Sequence, residues 1–470
     1  MNFNKKLAVA VSGAVLLMAG QFALADSTTD IVDALVGKGV LTEEEGKLIT
    51  KGHETKKKAD EKTLKSKINI GSFIENATMY GDIRARYERR DGDVIQANNV
   101  DTINSDLNRT RFKITFGIKT ETKNAYSDFA MAMGDNLRSD NTSLGENATA
   151  GDTGNKTKST LYVKRAMFGY KVTDWLSVEA GRMANPLYMV NAMVFDHDIV
   201  MDGLQEKLKY TTAGGTELFA NVGQWIYDGK GVGSTDGGTT TTQRQNLLLA
   251  FQAGAASDFG SQASARGAIG WYNYTDNATQ TTNVVYLPYT ANTSTANYSV
   301  NNLSIVDIPF EVNYFTNGIG FKPYAEYAWN VDASDRKAAA CAVSSTYCSL
   351  SKDDNAWLIG LTVGSGKDLK SFAGKKLVKG DWLANLWYQS VGTYALNQNA
   401  VDSDIFDGRL NMEGTSLKAQ YNIEDNLAFN FTGAWGSRKN NQYSTGAPKV
   451  DITGSIDDYK LYQFDLTYKF

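Results

Sequence analysis

Long hydrophobic runs are missing from this chain of 470 residues. After the first twenty-five residues no stretch approaches the ~20 consecutive apolar residues that a membrane helix needs, so helical spans are excluded. Cysteine occurs twice and histidine twice, as His53 and His197, which lie far apart. That scarcity leaves too few ligands for an ordinary Cys/His zinc site, and no metal or cofactor is expected. Proline, which interrupts strand ladders, occurs five times. Net positive charge is lacking too: the formal charge is −4, so no nucleic-acid partner is expected. The Gly-rich "GKGVGSTDGG" lacks the Lys-Ser/Thr ending of a phosphate loop, and no G-x-S-x-G elbow occurs.

What is present has a different cast. Glycine numbers 43 and tyrosine 24, aromatics make up 11%, and mean hydropathy is −0.35. Residues 1–25 read as a secretory leader. Lys5 and Lys6 precede an apolar Leu7–Met18 stretch, and Ala23-Leu24-Ala25 forms a small-x-small cleavage site. The alternative is a membrane anchor, for which the apolar run is short. Loss of the two lysines takes the net charge to −6. Exported, Gly- and Tyr-rich and polar on average is the profile of a transmembrane β-barrel, where lipid-facing and water-facing residues cancel. In an oxidising compartment Cys341 and Cys348 are expected to pair.

Residues 26–70 differ from the rest. Ile31, Leu35, Val36, Leu48 and Ile49 have helical spacing, Thr42 with Glu45 forms a capping box, and "HETKKKADEKTLKSK" follows as a charged tether. We read a small periplasmic helical segment here, with a solvated linker as the alternative. From about Met79, within a domain spanning 71–470, the period becomes two. In "RTRFKITFGIKT", Phe112, Ile114, Phe116 and Ile118 share one face while Arg109, Arg111 and Lys113 share the other. The final "LYQFDLTYKF" puts Tyr462, Phe464, Leu466, Tyr468 and Phe470 on one face.

Sixteen such segments can be drawn, centred near Arg84, Ile114, Met131, Arg165, Val178, Lys207, Val222, Leu249, Ile269, Val312, Ala325, Ile359, Leu386, Lys418, Phe431 and Leu466. Short turns alternate with long polar connections at 91–106, 135–159, 183–202, 228–243, 276–304, 333–353, 392–411 and 438–457. Two features strain the scheme: "SGKDLKSFAGKKLVKG" is long for the short-turn side, and Pro309 falls inside the tenth strand. That strand either starts at Phe310 or bulges.

The fold class expected is all-β, an antiparallel transmembrane barrel of about 16 strands. Unpaired backbone groups in a bilayer cost several kcal/mol each, so the last strand must pair with the first. A barrel of about sixteen strands leaves an aqueous lumen. Arg84, Arg86, Arg109, Arg111 and Lys113 would line it as a basic ladder, either tuning ion selectivity or pairing with neighbouring acids. The connection "GRMANPLYMVNAMVFDHDIVMDG" is unusually apolar. It either folds into the lumen, where Arg182, Asp196, Asp198 and Asp202 would form a constriction with the acids facing the ladder, or packs on the rim or a neighbouring subunit. His197, between Asp196 and Asp198, is the sole candidate for catalysis at a barrel rim. A lone histidine in an acidic loop is more often simply solvated, and no catalytic residue is assigned.

"GRMANPLYMVNAMVFDHDIVMDG", "PFEVNYFTNGIGFKPYAEYAWN" and "MEGTSLKAQYNIEDNLAFNFTGAW" resemble segments of the bacterial putative porin family, whose members also carry an "LVGKGVLTEEE"-like stretch. The resemblance implies a passive diffusion channel in a Gram-negative outer membrane, surrounded by its lipid. Similarity to general porins implies a homotrimer. The C-terminal aromatic strand resembles the signal read by the outer-membrane assembly machinery. A barrel enzyme, a gated transporter and a soluble secreted β-protein such as an adhesin are the competing readings. The gated barrels have about twenty-two strands and a globular plug, and residues 26–70 are too short and too charged to supply one.

Overall fold

The computed structural model describes residues 74–95, 102–134, 139–144, 159–228, 246–275, 303–343, 345–365, 378–445, 451–452 and 454–470. The expected leader, the 26–70 segment and most of "SGKDLKSFAGKKLVKG" lie outside them. The chain divides into Met1–Ile74 and Glu75–Phe470, and everything below concerns the second unit.

Two long strands open it, β1 (Asn76–Ile95) and β2 (Thr102–Glu121). β3 (Ala125–Met133), the two-residue β4 (Thr142–Ser143), β5 (Leu161–Thr173), β6 (Leu176–Ala184) and β7 (Val200–Thr211) follow. Next come β8 (Glu217–Asp228), β9 (Asn246–Phe259), β10 (Ala263–Tyr274), β11 (Ser304–Thr316) and β12 (Ile319–Asn330). A helix, α1 (Ala333–Val343), precedes β13 (Asn355–Ser365), β14 (Trp382–Val391), β15 (Met412–Glu424), β16 (Leu427–Arg438) and β17 (Ile456–Lys469). All form one antiparallel sheet. β4 adds only Thr142 and Ser143 to β2, opposite Phe112 and Arg111, so the wall has sixteen strands. Each expected centre falls inside one of them.

The sheet closes on itself. β17 pairs with β1 from Asp82↔Lys469 to Val94↔Ile456. Gly81 N–H donates to Phe470 O at 2.9 Å, and Phe470 N–H donates to Gly81 O at 3.1 Å. The terminal aromatic is therefore stitched into the seam. Gly81 is required there, because a Cβ would sit 2.5 Å from the Phe470 ring. Closure satisfies the edge groups that hydrocarbon cannot.

Alternation separates the faces. Outside lie Phe464 and Leu466 of β17, Trp357, Ile359 and Leu361 of β13, and Phe429 of β16, all exposed. Inside lie Lys322, Glu326, Asn385, Gln389 and Ser416, all buried. β-branched and aromatic residues suit the pleated outer surface, and the polar inner row needs the water or partners that a lumen provides.

Three details depart from expectation. First, residues 91–106 are mostly not loop. β1 and β2 are 20 residues each and stay in register up to Ile95↔Thr102, so the hairpin extends past the ~10 residues a crossing needs. Its continued pairing gives those polar residues a ladder to satisfy their backbone. Second, Pro309 neither starts β11 nor causes a bulge. It pairs with Glu326 of β12, while the β10 ladder skips from Gly267↔Phe310 to Gly270↔Asp307 without losing register. Pro323 does the same one strand on, pairing with Leu361 where the β11 ladder skips. Each proline lacks one N–H, and one ladder skips beside each while the other continues. Third, connection 333–353 is not plain loop: α1 leads to a short 3-10 turn, and Cys341–Cys348 joins the two. Replacing both cysteines by serine should cost about 2 kcal/mol locally, by the closure entropy of a short loop. Hydrogen exchange in α1 reads that loss, and the midpoint of barrel unfolding should not move.

Candidate functional site: a charged wall and two infolded segments

Even-numbered residues of β1 and odd-numbered residues of β2 face inward, and the register places them side by side. Arg84 is opposite Lys113, Arg86 opposite Arg111, and Glu88 opposite Arg109. β17 brings Asp465 opposite Arg86 and Gln463 opposite Glu88. The five cations of the expected ladder thus share one patch of inner wall.

That patch is not bare. Arg86 holds Asp465 through Nε at 2.7 Å and Nη2 at 2.9 Å. Arg109 donates to Glu88 and clasps Asp451 at 2.9 and 2.7 Å. Gln463 Nε2 donates to the other Glu88 oxygen at 3.1 Å. Arg84 reaches Asn141 at 2.5 Å, and Lys113 lies 3.5 Å from Asp140, which also pairs with Lys164 of β5. Among the described residues the ladder is interleaved with acids, the second of the two possibilities its composition left open.

The apolar connection folds inward. Met183, Leu187, Val190, Met193, Val194 and Phe195 are buried against inward side chains of the far wall, among them Trp225, Tyr272, Tyr324 and Trp387. Polar contacts fix its path. Tyr188 N–H donates to Gln252 Oε1 at 2.7 Å, Gln252 Nε2 donates back to Tyr188 O at 2.9 Å, and Asn191 Nδ2 reaches Tyr324 OH at 3.4 Å. The apolar content that no solvated loop would carry is the reason it lies there.

A second segment, 392–411, also folds inward, although its residues read as a polar outer loop. Ala400, Val401, Ile405 and Phe406 are buried in the same cluster. The two segments brace each other: Asp196 N–H donates to Ala400 O at 2.6 Å, and Ser403 N–H donates to Asp196 Oδ2 at 3.0 Å. The second then crosses to the charged wall. Asp404 accepts from Arg86 and Arg90, both at 2.9 Å, and Asp407 accepts from Arg90 at 2.9 Å. Its tip bends through left-handed backbone at Phe406 (φ 51°) and Asp407 (φ 58°), strain that these anchors hold in place.

The four expected constriction residues separate. Asp198 does face the cations, with Lys164 at 3.6 Å. Its burial works against ionisation, but Lys113, Lys164 and Arg84 outweigh that and hold its carboxyl far below the usual range. Asp404 behaves alike: burial opposes its charge, and Arg86 and Arg90 hold it far below that range. Asp196 braces the two segments, through Ala400 and Ser403. Arg182 and Asp202 belong to no constriction. They are a cross-strand pair on β6 and β7, 2.8 Å apart, on the face opposite the buried Met183 and Met201. The segment turns inward only after β6 ends, so strand parity sends these two outside. Asp404, Asp407, Arg90 and Asp465 were not foreseen as parts of the site. The one available signal was "AVDSDIFDG", where Ile405 and Phe406 interrupt a polar run.

The model of the family described as "putative porin" matches residues 89–307. No curated protein matches. Among solved structures, the high pH structure of Pseudomonas putida OprB aligns with a TM-score of 0.46 at 13% identity, covering 84% of this chain and 94% of that one. The anion-selective porin from Comamonas acidovorans gives 0.40 at 10%, covering 84% and 99%. OmpT in its trimer form, an outer membrane protein of Vibrio cholerae, gives 0.41 at 11%, with the same coverages. The match over 89–307, which runs from β1 into β11, makes this part of the chain similar to the putative porin family.

Proposed function

We propose that the barrel is a water-filled channel for passive diffusion of small hydrophilic solutes and ions, working as a non-enzymatic homotrimer in a Gram-negative outer membrane. The short-turn end and residues 26–70 then face the periplasm. The observation that carries this reading is the charged wall of β1, β2 and β17 standing opposite Asp198 and Asp404 of the two infolded segments. Charges of both signs across a narrowed lumen sort solutes by charge and dipole rather than by a fitted pocket. Because acids interleave the ladder, selectivity is weak, and it favours anions through Arg84, Arg109 and Lys113.

The pairing fixes the pH behaviour. Asp198 and Asp404 are depressed carboxyls, so their charge persists as pH falls through the usual range near 4 and is lost only well below it. The reversal potential should therefore stay constant between about pH 6 and pH 5.

The test is the reversal potential in a tenfold monovalent salt gradient, whose ideal limit is about 59 mV. Arg109→Glu with Arg111→Glu should move it about 10–20 mV toward the cation side of that scale. An unmoved potential removes the ladder from selectivity, and absent conductance in the wild type removes the channel itself.

A further inference from the structure

The far wall holds a pair of acids that the proposed selectivity does not use. Asp307 on β11 and Glu326 on β12 both face inward, offset by two residues, since Asp307 is opposite Ala328 and Pro309 opposite Glu326. They are 1% and 2% exposed and sit on neighbouring strands as diagonal inward positions. Tyr272 OH donates to Asp307 Oδ2 at 3.1 Å and receives a bond from Gln252 at 3.3 Å. Asp307 Oδ1 and both Glu326 oxygens have no hydrogen-bond partner.

The groups around them explain why. Lys322 of β12 is engaged with Glu311 of β11 at 3.3 Å. Arg266 of β10 is held between the Tyr188 and Phe219 rings, 4.4 and 4.5 Å from their centres. Tyr324 of β12 donates to Asn385 at 2.7 Å. β13 contributes the neutral Leu358. From the infolded segment come Tyr188 and, edge-on to Tyr272 at 5.1 Å, Phe195. Neither nearby cation ion-pairs with Asp307 or Glu326. Two ionised carboxylates are acceptors only, and buried side by side with Tyr272 OH as their one side-chain donor among the described residues they would both be strongly disfavoured. One proton between them supplies the missing donor.

We propose that Asp307 and Glu326 share one proton, and that this proton is the catch that keeps segment 185–199 seated in the lumen. The segment lies on the pair through Phe195 on Tyr272, Tyr188 on Gln252, and Asn191 on Tyr324. Removing the proton leaves two charges under that apolar lid, and the lid lifts to let water reach them. The catch is set at low pH and released as pH rises. The inference rests on the channel reading for its consequence, a wider passage at alkaline pH, but the seating itself does not.

The experiment measures single-channel conductance from pH 6 to pH 9 in the wild type, Glu326→Gln and Asp307→Asn. Alongside it, amide exchange over 188–195 is measured, corrected for the intrinsic effect of pH. An amide at 326 donates to Asp307 without titrating. Wild-type conductance should rise about twofold while Glu326→Gln stays low throughout, and exchange protection should fall with pH only in the wild type. Asp307→Asn serves the same purpose should Glu326→Gln not fold. Parallel pH responses in wild type and variant overturn the proposal, as does a flat wild type. So does release of the segment by EDTA at pH 6, which would put a cation between the carboxylates. Should the exchange difference appear without any conductance, it is the channel reading that fails and the proton catch that stands.

Discussion

Arg90→Ala should destabilise the barrel by about 3–5 kcal/mol and raise single-channel conductance in the molecules that still fold. Arg90 is 1% exposed and is the hub of the charged wall. Its guanidinium meets Asp404 and Asp407 at 2.9 Å, Asp451 at 3.1 Å and Glu88 at 3.4 Å. Glu88 and Asp407 are themselves almost wholly buried, so truncation leaves acids in a low-dielectric site with too few cations. The cost is that of stranded charge, not of one lost bond. Segment 392–411 loses two of its three ion pairs to β1, leaving Arg86–Asp404, and its strained turn at Phe406 and Asp407 has less to hold it. The control lies one position away. Arg89 points outward, is paired with Asp91 at 3.1 Å and is half-exposed, so Arg89→Ala should change stability by less than about 0.5 kcal/mol. Urea unfolding in lipid vesicles measures both. Equal effects from the two arginines would mean that the inner wall is not the charged network described above.

The contrast between Arg89 and Arg90 also shows what could be read from the residues alone. A period of two is a local property, and a bilayer outside with water inside enforces it at every strand, so all sixteen centres were legible. The apolar residues of 185–199 showed that this loop needs a place to hide, but left open whether that place is the lumen, the rim or a neighbouring subunit. Segment 392–411 carries fewer apolar residues, and its inward path depends on Arg86 and Arg90, more than 300 positions away in sequence. No spacing rule reaches that far. Pro309 was misjudged for a similar reason. A proline is excluded from a closed wall only if both of its ladders need an N–H, and which ladder can spare one depends on register. Arg182 and Asp202 show the limit of loop boundaries: two residues of strand at each end decide whether a side chain faces water, lipid or lumen.

That sidedness can be tested most sharply by placing the same charge on each face. Ile359→Arg puts a guanidinium at mid-strand on the outer face of β13, where Ile359 is 60% exposed between Ala325 and Tyr388 on the flanking strands. At the bilayer midplane such a substitution costs about 2–4 kcal/mol, because the charge must be dragged toward the interface or bring water with it. Gln420→Arg places the same group on the inner face of β15, where the side chain is half-buried beside Asn422 and opposite Leu383. There the guanidinium finds lumen water and polar neighbours, so stability should change by less than about 1 kcal/mol while the reversal potential moves toward anions. Unfolding free energies in vesicles and potentials from the same preparations provide the comparison. If Gln420→Arg were the costly change and Ile359→Arg the silent one, the two faces would be inverted. The charged wall of β1 and β2, whose sidedness rests on the same alternation, would then look onto lipid, where Arg84, Arg86, Arg90, Arg109, Arg111 and Lys113 and their acids could not stay.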